Sequence, residues 1–157
     1  METPNSNISR RSFMAKSLGA GLVVGAPSIL SAAAKGPSDT LNVGIIGFGK
    51  QGRVLFEAMS NIKGIHFQAV CDIWDYNRKG GQGKVRALQG HVPTGYTDAE
   101  EMLSREKGLD ACIVATPDFW HAPHTVMCLE AGLNVYCEKM MSNTIDGARS
   151  MVKAMEK

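Results

Sequence analysis

From residue 41 onward, short apolar runs alternate with amphipathic stretches. Leu41-Asn42-Val43-Gly44-Ile45-Ile46 has the length and apolarity of a buried strand and ends in a glycine-rich loop. Arg53 to Ser60 carries Val54, Leu55, Ala58 and Met59 toward one side, which predicts a helix. A second apolar run, Ile65 to Cys71, predicts another strand. Arg78 to Gly90 then holds four glycines and reads as a loop with at most a poor helix, because glycine inside a helix costs about 1 kcal/mol relative to alanine. A short strand is expected around Tyr96. Asp98, with Glu101 three places later, has the form of a capping box and predicts a helix through Arg105. Ala111 to Ala115 reads as a buried strand, His121 to Ala131 as a helix closed by Gly132, Asn134 to Cys137 as a strand, and the segment after Thr144 as a last helix.

Strands alternating with helices predict an α/β fold, a doubly wound parallel sheet covered on both faces. The 157 residues leave room for about one domain, assigned to residues 41–157 behind a short linker at 35–40. The first thirty-four residues read differently. Ser9-Arg10-Arg11-Ser12-Phe13-Met14-Ala15-Lys16 precedes a weakly apolar stretch and the small run Ala32-Ala33-Ala34, the layout of a cleavable export signal. Arg10-Arg11 with Phe13 resembles the twin-arginine signal, which implies export of an already folded protein to the periplasm. The apolar stretch contains Gly19, Gly21, Gly25 and Pro27 and is shorter than the roughly 20 residues of a spanning helix, so no stable membrane anchor is expected.

Charge narrows the function. Without residues 1–34 the chain holds 14 basic and 14 acidic residues, so the basic excess belongs to the leader. A nucleic-acid binder needs a basic face, and this balance excludes that class of partner. The cysteines, Cys71, Cys112, Cys128 and Cys137, lack metal-ligand or disulfide-framework spacing and read as small core hydrophobes; no metal is expected.

Gly47-Phe48-Gly49-Lys50-Gln51-Gly52 satisfies G-x-G-x-x-G between a predicted strand and a predicted helix. In that context Gly47 makes the tight turn, Gly49 admits a pyrophosphate and Gly52 lets helix and strand approach, with Phe48 and Gln51 in the same cofactor-binding loop. The phosphates would meet the unpaired amides at the helix start. Asp72 lies twenty residues after Gly52 at the end of the second strand, where a carboxylate accepts hydrogen bonds from the adenosine ribose and repels a 2′-phosphate. NAD is therefore favoured over NADP, although Arg78 and Lys79 nearby could bind such a phosphate. Asp75, at the same strand end, reads as a solvated loop residue.

Three motifs in order, the glycine loop, Ala115-Thr116-Pro117 with His121 beyond it, and Glu138-Lys139, resemble the glucose-fructose oxidoreductase/inositol dehydrogenase (Gfo/Idh/MocA) family over Leu41 to Lys157. The resemblance implies a Rossmann fold with Thr116, Pro117 and Glu138 beside the nicotinamide end of the cofactor and Lys139 and His121 as catalytic candidates. It also implies hydride transfer to or from a sugar or polyol hydroxyl, with NAD-dependent glycosidase chemistry as an alternative. The family's Glu-Lys-Pro holds Met140 at the proline position here, which frees the Lys139 backbone. Relatives carry a further substrate domain. The chain is accordingly expected to be truncated before that domain and before the sixth strand, and to bind cofactor without turnover by itself. Self-association is left open.

Overall fold

The computed structural model describes residues 40–157; the export signal read over 1–34, and the linker up to Asp39, lie outside the described residues. Five strands, β1 (Leu41–Ile46), β2 (Ile65–Cys71), β3 (Thr94–Tyr96), β4 (Ala111–Val114) and β5 (Asn134–Cys137), form one parallel sheet in the order β3-β2-β1-β4-β5. Helices α1 (Lys50–Ser60), α2 (Asp75–Gln89), α3 (Ala99–Arg105), α4 (His121–Glu130) and α5 (Ile145–Met155) connect or follow them. The order reverses between β1 and β4, so the chain leaves in opposite directions there and a crevice opens at the strand ends.

Register positions that crevice. Ile46 pairs with Cys71 and Val114, Cys71 with Tyr96, and Val114 with Cys137, so all five strands end in one row. The next backbone amides continue the row: Gly47 donates to the Cys71 carbonyl at 2.8 Å, Asp72 to Tyr96 at 3.0 Å, Ala115 to Ile46 at 2.9 Å and Glu138 to Val114 at 2.9 Å. The glycine loop, Asp72, Ala115-Thr116-Pro117 and Glu138-Lys139 thus all leave the sheet at the carboxyl ends of its strands.

Alternation along the strands divides the core. Val43, Ile45, Phe67, Val70 and Ile113 face α1 and α2 with Phe48, Phe56 and Val85. Ile46, Ala69, Cys71, Cys112 and Val114 face the other side with Tyr96, Met102 and Cys128. The β1–β2 register shifts between Val43 and Gly44, opposite Phe67 and Ala69, leaving Gln68 as the extra residue of a bulge. Gln68 donates to Glu106 at 2.6 Å, and the Tyr96 hydroxyl donates to the other Glu106 oxygen at 2.7 Å. Burial satisfies the reading of Cys71, Cys112 and Cys128 as core residues; all are free thiols. Burial pushes the Cys71 thiol up to about 12, which keeps it protonated.

Two helix starts follow the sequence directly. Asp98 accepts the Glu101 amide at 2.8 Å, while the Glu101 side chain pairs with Arg105 rather than closing the box. Thr144 accepts the Gly147 amide at 3.0 Å. The expected loop over Arg78 to Gly90 is corrected: Asp75–Gln89 is a 15-residue helix, closed by Gly90 in the left-handed conformation. Packing outweighs propensity here, because a Cβ on Gly81 would lie 2.8 Å from Val70 and 3.0 Å from Phe48, so the glycine brings α2 onto the sheet. Gly83 has nothing within 4 Å of its Cβ position. Gly83→Ala is therefore expected to raise stability by about 0.5–1 kcal/mol, and Gly81→Ala to lower it by about 1–3 kcal/mol. Denaturant unfolding of both variants checks this, and a stabilising Gly81→Ala would contradict the packing account.

Candidate functional site

The glycine loop is built by close approach. Gly47 has φ 90°, and a Cβ there would lie 2.7 Å from the Ala115 carbonyl oxygen; a Cβ on Gly52 would collide with the Gly47 carbonyl. Both contacts are internal, so these two glycines shape the turn. Gly49 differs: its Cβ position is open, with Asn77 4.0 Å away as the nearest atom. Gly49 also caps α1 without any side-chain hydrogen bond, so the amides of the first turn face outward unclaimed by a side chain. An open cradle beside bare amides and a helix dipole fits a dinucleotide pyrophosphate.

Asp72 locks the same loop. It is 9% exposed, and its carboxylate accepts the Phe48 amide and the Trp74 amide, each at 2.8 Å. One acceptor site is used on each oxygen, which leaves further lone pairs for ribose hydroxyls. The Phe48 side chain turns away into the core against Phe56, so Phe48 serves the loop through its backbone.

Across the switch point, Glu138 joins the two halves. It accepts from Gln51 Nε2 at 2.8 Å and from the Lys139 amide at 2.9 Å. The Lys139 amide, then the Gln51 amide, hold the Glu138 carboxyl below its ordinary value of 4.5. Lys139 follows at the exposed lip, and its peptide with Met140 is cis. His121 is 1% exposed and sets Nδ1 2.7 Å from the Met140 carbonyl oxygen and Nε2 2.8 Å from the Thr116 carbonyl oxygen. With both nitrogens against backbone carbonyls, His121 ties the Thr116 turn to the Met140 turn. Pro117 is exposed at the rim. Trp120 stacks on His124 with ring centroids 5.2 Å apart, and His124 lies 3.4 Å from the Thr116 hydroxyl, with burial pushing its imidazole below 6.5.

A groove of roughly 1050 Å³ runs from Gln51, Glu138 and Lys139 along β5 to Met151 and Met155. Arg53, Tyr76 and Asn77 border the glycine loop and are not read from the sequence as site residues. Arg53 donates to Phe48 and Asn77 and lies 5.4 Å over the Tyr76 ring. Tyr76 and Asn77 lie in the first turn of α2, just ahead of the segment read as a loop, and Arg53 reaches them from α1.

The model of a family described as the Gfo/Idh/MocA oxidoreductase family, NAD-binding Rossmann fold, matches residues 41–157. A glycosyl hydrolase family 109 protein of Shewanella sp. is 27% identical over 123 residues, covering 76% of this chain and 27% of that protein. An inositol 2-dehydrogenase of Rubrobacter xylanophilus is 29% identical over 121 residues, covering 76% and 33%. The crystal structure of myo-inositol 2-dehydrogenase from Lactobacillus plantarum superposes with TM-score 0.67 at 28% identity, covering 74% of this chain and 33% of that one. The chain thus spans between about a quarter and a third of the length of these relatives.

The Glu138 geometry carries a pH consequence. Its folded value is depressed, so its stabilisation is complete above 4.5 and is lost as pH falls through the lower folded value. Glu138→Ala is expected to cost about 1–3 kcal/mol by removing two hydrogen bonds to a charged group. Glu138→Gln should cost less, because Gln51 can flip its amide to match, and should flatten the acid limb of the stability–pH curve. An unchanged acid limb in Glu138→Gln would contradict this account.

Proposed function

The chain belongs to the Gfo/Idh/MocA oxidoreductase family with its NAD-binding Rossmann fold, and on that premise we propose that it forms the cofactor half of an enzyme that moves a hydride between nicotinamide and a secondary hydroxyl of a sugar or polyol. The observation that carries this reading is the single row of strand ends from which Gly47, Asp72, Thr116 and Glu138-Lys139 all depart. An extended dinucleotide laid along that row has its pyrophosphate at Gly49, its adenosine ribose at Asp72 and its nicotinamide between Thr116-Pro117 and Lys139. Bound NAD supplies the hydride acceptor. The chain's own contributions are positional and electrostatic: Glu138 and His121 fix the turns on either side, and Lys139 reaches the substrate oxygen. In the reducing direction the Lys139 ammonium donates to the carbonyl oxygen and gives it the proton that completes the alcohol.

The Shewanella relative favours a second reading, cleavage of a glycosidic bond. The protein in its natural full length separates the two when given inositols and nitrophenyl glycosides with NAD. Net NADH formation from the polyol supports the dehydrogenase, glycoside hydrolysis without net NADH supports the second reading, and cofactor binding with neither leaves a binding module. Lys139→Ala is expected to lower hydride transfer about 100- to 10,000-fold while NAD affinity stays within a few-fold. Asp72→Ser is expected to weaken NAD by about tenfold, the worth of one charged hydrogen bond, and to narrow the NAD/NADP ratio. An unchanged ratio would remove Asp72 from the ribose.

The proposal extends to location. Arg10-Arg11 ahead of a weakly apolar stretch and Ala32-Ala33-Ala34 supports export of the folded, cofactor-loaded protein by the twin-arginine route. Replacing both arginines by lysine should retain the precursor in the cytoplasm; continued export would contradict that route.

A further inference from the structure

Three cations border the adenosine end, and they are not partnered alike. Arg53 is met by neutral groups: the Phe48 carbonyl at 3.3 Å, the Asn77 side-chain oxygen at 3.0 Å and the face of Tyr76. Arg78 and Lys79 are met by one carboxylate. Asp75, the first residue of α2, takes Arg78 Nη2 on one oxygen and Lys79 Nζ, at 2.9 Å, on the other. Arg78 also donates through Nη1 to the Asp72 carbonyl at 3.2 Å. Its side chain is 15% exposed, so the guanidinium lies under the strand end beside the acid that would hold the ribose, and Lys79 stands in solvent at 72%. Hydrogen bonds from Lys79 and Arg78 hold the Asp75 carboxyl below its ordinary value, which keeps it ionised.

We propose that Asp75 is a specificity-determining residue that latches Arg78 and Lys79 away from the 2′ position of the adenosine ribose, so that rejection of NADP depends on Asp75 as well as on Asp72. The inference rests on the reading that NAD binds along the strand ends. Its physical basis is charge. With all groups ionised, Asp72 and Asp75 cancel Arg78 and Lys79, so of the three cations only Arg53, already held by Phe48, Asn77 and Tyr76, is left to attract a 2′-phosphate arriving with a charge of about −1.5 to −2. The phosphate would also have to displace Asp75 from both cations. Neutralising Asp75 leaves a net positive set and two free donors of the kind that bind phosphate, Arg78 through its planar fork and Lys79 as a point charge.

Exposed ion pairs of this kind are each worth up to about fivefold in an equilibrium constant. Asp75→Asn, which keeps size and the start of α2, is therefore expected to tighten NADP about three- to thirtyfold and to leave NAD within about twofold. The gain should shrink as salt rises, and it should vanish when Arg78→Met and Lys79→Met are added to Asp75→Asn. Dissociation constants for NAD and NADP, measured by calorimetry on the wild type, Asp75→Asn and the triple variant, test this without any turnover. NAD binding by the wild type with no change in NADP affinity in Asp75→Asn would overturn the latch alone, as would a gain that survives in the triple variant. A wild type that binds neither dinucleotide would overturn the cofactor reading and the latch with it.

Discussion

A side chain at Gly47 would lie 2.7 Å from the Ala115 carbonyl oxygen, and one at Gly52 would run into the Gly47 carbonyl. That close approach is the constraint on which the site depends. It draws the loop after β1 against the turn after β4, so the start of α1 points across the crevice where the sheet order reverses. Asp72 then fastens the loop from the β2 side through the Phe48 amide, and Glu138 fastens it from the β5 side through Gln51. Four strand ends converge on one short turn.

The two carboxylates brace the site from opposite sides. Asp72 satisfies amides of the loop and of Trp74 while keeping acceptor capacity for a ribose. Glu138 holds the backbone of Lys139, the residue proposed to meet the substrate. His121 has an analogous place under the lip, where it ties the Thr116 turn to the Met140 turn. Positioning groups of this kind matter because small displacements of a reacting group carry large rate penalties.

Much of this was legible in the sequence where the cause is local. Periodicity located the strands, the glycine spacing located the turn, and Asp98 and Thr144 announced the helices they cap. What escaped depends on partners distant along the chain. Propensity alone dissolves α2, because the reason for Gly81 is Val70 on the sheet and Phe48 in the glycine loop beneath it. Phe48, read within the cofactor loop, lends only its backbone because its ring fills the core beside Phe56. The role of His121 turns on the Met140 carbonyl 19 residues away, and Gln51 meets Glu138 across 87 residues. Asp75 reads as a solvated acid until α2 is seen to bring Arg78 and Lys79 to it.

Whether a dinucleotide lies along the row of strand ends, with its pyrophosphate at the glycine turn, is decided by a crystal structure of the protein with NAD. Phosphate oxygens are expected at the Gly49 cradle and the first amides of α1, a ribose on Asp72, and the nicotinamide between Thr116-Pro117 and Lys139. A dinucleotide seated instead in the groove along β5 and α5, with the Gly49 cradle and Asp72 untouched, would contradict that placement.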